Sequence, residues 1–190
     1  MKGNRIKILQ DNSFTILVVE DNPNDFLLLQ AAFAKNGIKN PVQWMREGLA
    51  AIEYLSGEGD YENRDKFPLP NIVILDLKLP KLGGLELLDW IKSNPVLSVL
   101  PVLVMSSSNL PDDVSKAYAL GASSFFIKPS TFGDLVKLTF TIREYWAQCV
   151  EPVLDAGTTR KRRSASPVCV RIASPPSARK PISRANHPAK

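Results

Sequence analysis

A chain of 190 residues, 44% hydrophobic and 23% charged, can close one domain core with room for an appendage, and two cysteines (Cys149 and Cys169) support neither a disulfide framework nor a metal spacing. No apolar run approaches the ~20 residues that span a bilayer, and residues 1–5 are not followed by a signal-peptide core, so no membrane contact and a cytoplasmic location are expected. The net charge of +5 is unevenly placed: residues 151–190 hold nine Lys/Arg against Glu151 and Asp155, leaving a mildly acidic body and a basic tail.

Residues 1–12 are a polar lead-in. Residues 14–19 (FTILVV) form an unbroken, β-branched apolar run, the pattern of a strand buried on both faces, and run into Glu20 and Asp21. Asn22-Pro23-Asn24-Asp25 then supplies turn chemistry and helix caps. Phe26, Leu27, Leu29, Ala32 and Phe33 recur at helical spacing until Asn36-Gly37 stops the helix. Residues 42–46 read as a short strand, 49–55 as a helix, and 58–68 as a polar insertion. A third strand, 71–75 (NIVIL), ends directly at Asp76. The helix over 85–91 is closed by Ser93-Asn94-Pro95. A strand over 101–105 ends in Ser106, and Pro111-Asp112-Asp113 opens a helix expected to turn Val114, Ala117, Tyr118 and Leu120 inward. The last strand, 123–127, ends in Lys128-Pro129. The final helix, from 132 to about 148, carries an apolar surface wider than one stripe: Leu135, Val136, Leu138, Phe140, Ile142, Tyr145 and Trp146. Five strands alternating with five helices predict an α/β domain with a parallel sheet covered on both faces. The segment 149–190 has six prolines and no Phe, Trp or Tyr, so disorder is its expected state, and it is too short for a separate DNA-binding domain.

Ligand sites of open α/β sheets lie at the carboxyl ends of the strands. Two buried strands delivering Glu20, Asp21 and Asp76 to one edge is costly unless a cation neutralises them, which points to a Mg²⁺ site around a reactive aspartate. Taken singly, each residue has a plainer reading. Asp76 suits a strand-end turn, Glu20 and Asp21 a helix cap, Ser106 the cap of the next helix as much as a phosphate contact, and Lys128 a surface turn. Their joint arrival at strand ends favours the site. Trp44, Trp90 and Trp146 read as core or interface residues.

The spaced segments 18–22 (VVEDN), 74–84 (ILDLKLPKLGG), 104–106 (VMS) and 119–129 (ALGASSFFIKP) together resemble the receiver domain of two-component response regulators, over roughly residues 13–148. The resemblance implies a flavodoxin-like, doubly wound sheet in the order 2-1-3-4-5. It implies that Asp76 accepts a phosphoryl group from the phosphohistidine of a sensor histidine kinase, in a self-catalysed reaction. It further implies Mg²⁺ bound by Asp21 and Asp76, through water by Glu20, and by the main-chain carbonyl of Lys78, with Ser106 and Lys128 contacting phosphoryl oxygens. The aromatic switch position is Phe125, where tyrosine is frequent, and Lys78 is a cation where neutral residues are usual; it could contact the phosphoryl group, block water, or point to solvent. The lone histidine, His187, lies in the tail, so the chain is not itself the kinase. Tyr54-Leu55 with the insertion, the run 77–81 (LKLPK), and Glu144-Tyr145-Trp146 resemble the single-domain subgroup that works with bacterial phytochrome kinases. That implies a phytochrome-type kinase partner and a homodimer through the fourth-helix to fifth-helix face.

Two rival functions are weaker. A phosphatase of the haloacid-dehalogenase type also uses an aspartate on a parallel sheet, but it wants a second acid where this chain has Lys78. Nucleic-acid binding by the basic tail would be weak and non-specific, since no aromatic is interleaved for base stacking; a solvated extension is the expectation for that segment.

Overall fold

The computed structural model describes residues 14–148. The expectations for the lead-in (1–12) and the basic tail (149–190) lie outside the described residues. In chain order the elements are β1 (Ile16–Val19), α1 (Pro23–Lys35), β2 (Val42–Met45), α2 (Gly48–Ser56), β3 (Ile72–Leu75), α3 (Gly84–Ser93), β4 (Val102–Ser106), α4 (Pro111–Ala119), β5 (Ser124–Ile127) and α5 (Phe132–Trp146). All strand pairings are parallel, in the order β2-β1-β3-β4-β5. This is the expected doubly wound, flavodoxin-like sheet.

The unbroken apolar runs follow from burial on both faces. Leu17, Val19, Val73, Leu75, Val102 and Val104 pack with Tyr54 of α2, Leu87, Leu88 and Ile91 of α3, and Ala117 of α4. The alternate residues Ile16, Val18, Ile72, Ile74, Leu103 and Met105 pack with Phe26, Leu29 and Phe33 of α1, and with Leu135, Ile142 and Trp146 of α5. Successive side chains of a strand face opposite sides, so a strand covered by helices on both must be apolar throughout. At the sheet edge β5 is only partly covered.

Two local expectations need correction. The wide apolar surface of α5 resolves into an inward stripe of Leu135, Thr139, Ile142 and Trp146, whereas Phe140 and Tyr145 are exposed. Trp146 is therefore core, and only its neighbours remain available to a partner. The stripe is set by α1: the Asn36 amide donates to Thr139 Oγ1 (2.7 Å) and the Val136 carbonyl (2.8 Å), while Arg143 donates to the Asn36 carbonyl (2.6 Å). On α4, Tyr118 points outward rather than in, and its hydroxyl accepts from the Phe125 N–H (3.2 Å). The polar insertion has a defined fold of its own. A 3₁₀ turn at Gly59–Tyr61 sets Tyr61 edge-on to Tyr54 and Phe67, and Arg64 donates to the Tyr54 (2.7 Å) and Leu55 (2.8 Å) carbonyls at the end of α2.

Candidate functional site

Strand register assembles the site. Val19 of β1 pairs with Leu75 of β3, and the Asp76 N–H donates to the Val19 carbonyl (3.0 Å), so Glu20 and Asp76 leave adjacent strands side by side. On the other flank Leu75 pairs with Val104, placing Ser106 two residues further along β4. Ser106 pairs with Ile127, and the Lys128 N–H donates to the Ser106 carbonyl (2.8 Å). Parallel pairing thus brings segments up to 108 residues apart in sequence (Glu20 to Lys128) to one edge.

Asp76 is buried, with both carboxylate oxygens engaged. Oδ1 accepts from the Lys78 N–H (3.0 Å) and Oδ2 from the Lys128 ammonium (2.7 Å). That ammonium also meets Glu20 Oε2 and Asp25 Oδ2, each at 2.7 Å. Burial alone would lower the Lys128 pKa, but three carboxylates override it and hold the ammonium above the usual lysine range. At Glu20 burial prevails and pushes the carboxyl up, against the pull of Lys128 and with a contribution from the Asp76 charge. A pocket of about 90 Å³ bordered by these groups is otherwise lined by Leu28, Leu29, Ile74, Met105 and Leu135, apolar walls that strengthen charge interactions.

The close approach of the α3 start explains the glycine at position 84. A Cβ on Gly84 would lie 2.2 Å from the Asp76 carbonyl oxygen and 2.5 Å from Leu77 Cα. Only glycine lets the helix begin against the strand end that carries Asp76. Lys81, in the turn between, has φ +66° and is tied to Glu47 by a 2.7 Å ion pair.

Carboxylate oxygens of Glu20, Asp21 and Asp76 all lie within 4.8 Å of one another. Four acids, counting Asp25, face a single ammonium here, and the donors are all oxygen. That set fits a hard divalent cation such as Mg²⁺ or Mn²⁺, not a soft metal. Of the remaining predicted residues, Ser106 is fully buried and its Oγ accepts from the Ser108 N–H (3.3 Å), so it does not cap α4. Phe125 is half-buried against the core, and the Lys78 side chain is exposed.

Two residues at the site were not anticipated from the sequence. Asp25 reads there as turn and cap chemistry, yet it reaches Lys128; helical Cα–Cβ bonds tilt toward the N-terminus, so a first-turn acid after a strand end points back over the sheet edge. Trp44 stacks on Phe26 (centroids 4.1 Å apart) and its indole N–H donates to the Glu20 carbonyl (2.8 Å), fixing the acid pair from β2.

Comparison with known proteins decides the family. The family model for the response regulator receiver domain matches residues 16–140. The chain belongs to the response regulator receiver domain family. As such it is a component of two-component signalling, in which response regulators partner with sensor histidine kinases. The receiver is 38% identical over 135 residues to the response regulator Rcp1 of Synechocystis, covering 71% of this chain and 90% of that one. It is 39% identical over 137 residues to the probable methanogenesis regulatory protein FilR2 of Methanothrix harundinacea, covering 72% and 85%. Among solved structures, the receiver superposes on the phosphorylated cyanobacterial phytochrome response regulator RcpA with TM-score 0.68, at 36% identity over 73% of this chain and 98% of that one. The Mn²⁺-bound form of Rcp1 superposes with TM-score 0.67, at 37% identity over 73% and 99%. Among the described residues, no helix is long and apolar enough to cross a membrane.

Proposed function

We propose that this receiver accepts a phosphoryl group on Asp76 from the phosphohistidine of a sensor histidine kinase, in a Mg²⁺-dependent reaction in the cytoplasm. The observation that carries the reading is Asp76 itself: a buried carboxylate at a strand end, gripped by the Lys128 ammonium and the Lys78 N–H and flanked by Glu20 and Asp21. An Asp76 oxygen attacks phosphorus; the P–O bond forms as the P–N bond to the histidine breaks, and the imidazole leaves with the electron pair. Phosphoryl transfer demands little covalent help beyond positioning and charge neutralisation. Lys128 supplies one positive charge to the phosphoryl oxygens, and the Ser106 hydroxyl supplies a donor after turning from the Ser108 N–H. A divalent cation held by Glu20, Asp21, Asp76 and the Lys78 carbonyl would neutralise the remaining charge.

The output reading follows from the edge of the sheet. Phe125 lies on β5, tied to α4 through the Tyr118 hydroxyl, so rotation of its ring on phosphorylation would alter the α4–β5–α5 face. Tyr118, Ile127, Phe140 and Tyr145 on those elements are about half exposed or more, and we assign them to a homodimer interface. Likeness to RcpA supports a phytochrome-type kinase as the partner. We read residues 13–148 as the receiver domain.

The test is mass spectrometry of the full chain after incubation with phosphoramidate and Mg²⁺. Wild type should gain one phosphate and Asp76→Asn none. Equal labelling of Asp76→Asn would overturn the assignment.

A further inference from the structure

Lys128 is bound by more carboxylates than the chemistry requires. Its ammonium has three N–H bonds, and each meets a different acid at 2.7 Å: Glu20, Asp25 and Asp76. Asp25 stands apart from the other two. It is absent from the metal-capable set of Glu20, Asp21 and Asp76, and it comes from the first turn of α1 instead of a strand end. It is also held in place, because its Oδ1 accepts from the Asn22 side-chain amide (3.3 Å), whose own carbonyl caps the helix by accepting from the Asn24 N–H (3.0 Å).

We propose that Asp25 is a positioning residue for phosphoryl acceptance, anchoring the Lys128 ammonium so that it need not follow Asp76 as that carboxylate reacts; the proposal rests on the reading of Asp76 as acceptor. Before the reaction, Asp76 Oδ2 is occupied by Lys128. When an Asp76 oxygen attacks phosphorus, that ion pair must loosen and one N–H must turn to a phosphoryl oxygen. An ammonium tethered by Glu20 alone, on a four-carbon stem, would collapse onto Asp76 and withhold the attacking oxygen. A second tether that neither accepts phosphate nor joins the metal-capable group keeps the charge between acceptor and incoming group. Pre-placed charge of this kind lowers the barrier because no reorganisation is needed during transfer. The negative charge of Asp25 acts in the opposite sense by repelling the phosphoryl group. That repulsion is the smaller effect, since the carboxylate is already paired and its side chain is 35% exposed, hence screened.

The experiment uses the full chain, phosphoramidate and saturating Mg²⁺, following phosphate gain by mass. Donor attack breaks its P–N bond as the Asp76 P–O bond forms, releasing ammonia. Asp25→Ala should slow acceptance about 3- to 10-fold, and Asp25→Asn, which keeps the shape and an acceptor for Asn22, should fall between. Mg²⁺ affinity, read by tryptophan fluorescence because Trp44 is bonded to the Glu20 carbonyl, should stay within about twofold of wild type. In a Lys128→Ala background, adding Asp25→Ala should change the rate by less than about twofold. Equal rates for wild type and Asp25→Ala would overturn the proposal. So would the same loss in both backgrounds, since Asp25 would then act through the fold and not through Lys128. Labelling of Asp76→Asn in the same series would instead overturn the acceptor assignment, whatever the Asp25 variants do.

Discussion

Gly84 and Tyr54 show how single side chains fix the frame of the site. A methyl at position 84 meets the Asp76 carbonyl oxygen at 2.2 Å, and the obstacle is backbone, which cannot swing away. Gly84→Ala should cost about 3 kcal/mol in urea unfolding. It should also slow phosphoryl acceptance, because relief of the clash must move the Asp76 loop. Unchanged stability would show that the helix start yields freely. Tyr54 is fully buried beneath the insertion, where its hydroxyl donates to the Pro68 carbonyl, and burial pushes its phenol up to about 12 from an ordinary 10.0. The folded state therefore favours the neutral phenol. This contribution is complete below pH 10 and is lost as pH rises through 12, amounting to about 3 kcal/mol. Unfolding of Tyr54→Phe measured from pH 8 to 12 should show a flatter alkaline limb than wild type, with about 1 kcal/mol lost at neutral pH from the missing hydrogen bond. Parallel alkaline limbs would place the titration elsewhere.

At the scale of elements, α2 ends on a side chain from the insertion. The helix is followed by Gly57 in the left-handed region (φ +71°), and Arg64 crosses that glycine to donate to the Tyr54, Leu55 and Phe67 carbonyls. Carbonyls at a helix C-terminus lack intrahelical partners, and a half-buried guanidinium supplies several donors at once. Burial lowers the Arg64 pKa without threatening its charge. Arg64→Ala should lower stability by about 2 kcal/mol and release amide-exchange protection over residues 53–57 and in the insertion together. Loss in only one of the two segments would mean that they are not joined through the arginine. A comparable chain of bonds runs from the site to α4. Ser106 Oγ accepts from the Ser108 N–H, and Ser108 Oγ donates to Asp113 (2.5 Å) in the first turn of α4. Turning the Ser106 hydroxyl toward a phosphoryl oxygen would break the first of these bonds and loosen the helix start.

For the whole molecule, the exposed apolar residues of α4, β5 and α5 bear on assembly. Tyr118 is 51%, Ile127 56%, Phe140 47% and Tyr145 60% exposed, on elements at the β5 side of the sheet. Phe140 carries Arg143 over its ring (5.1 Å), and Tyr145 packs against Trp146. Light scattering should report a dimer for wild type and a folded monomer for Phe140→Glu, Tyr145→Glu. Neither substitution enters the core, so the monomer's thermal midpoint should stay close to that of the undissociated protein after allowing for concentration. A wild type that is monomeric at high concentration would sink the interface assignment.

The local sequence determined the elements and the placement of Glu20, Asp21, Asp76, Ser106 and Lys128 at strand ends. Its information is short-range: a strand covered on both faces must be apolar throughout, and the first polar residue after it stands at the sheet edge. Strand order came from the receiver resemblance, because periodicity says that a strand is buried but not beside which neighbour. Tertiary structure alone decided which groups meet. The wide stripe of α5 permits more than one rotation, and packing of Leu135, Ile142 and Trp146 against the sheet and α1, with the Asn36 bonds to Thr139 and Val136, selects the one that buries Trp146 and exposes Tyr145. In sequence the insertion shows only its polarity, and the structure shows Arg64 donating from it to the carbonyls at the end of α2. Asp25 is a helix-start acid in sequence and a ligand of Lys128 in space, 103 residues away, because the direction of a side chain across a sheet edge depends on how α1 packs.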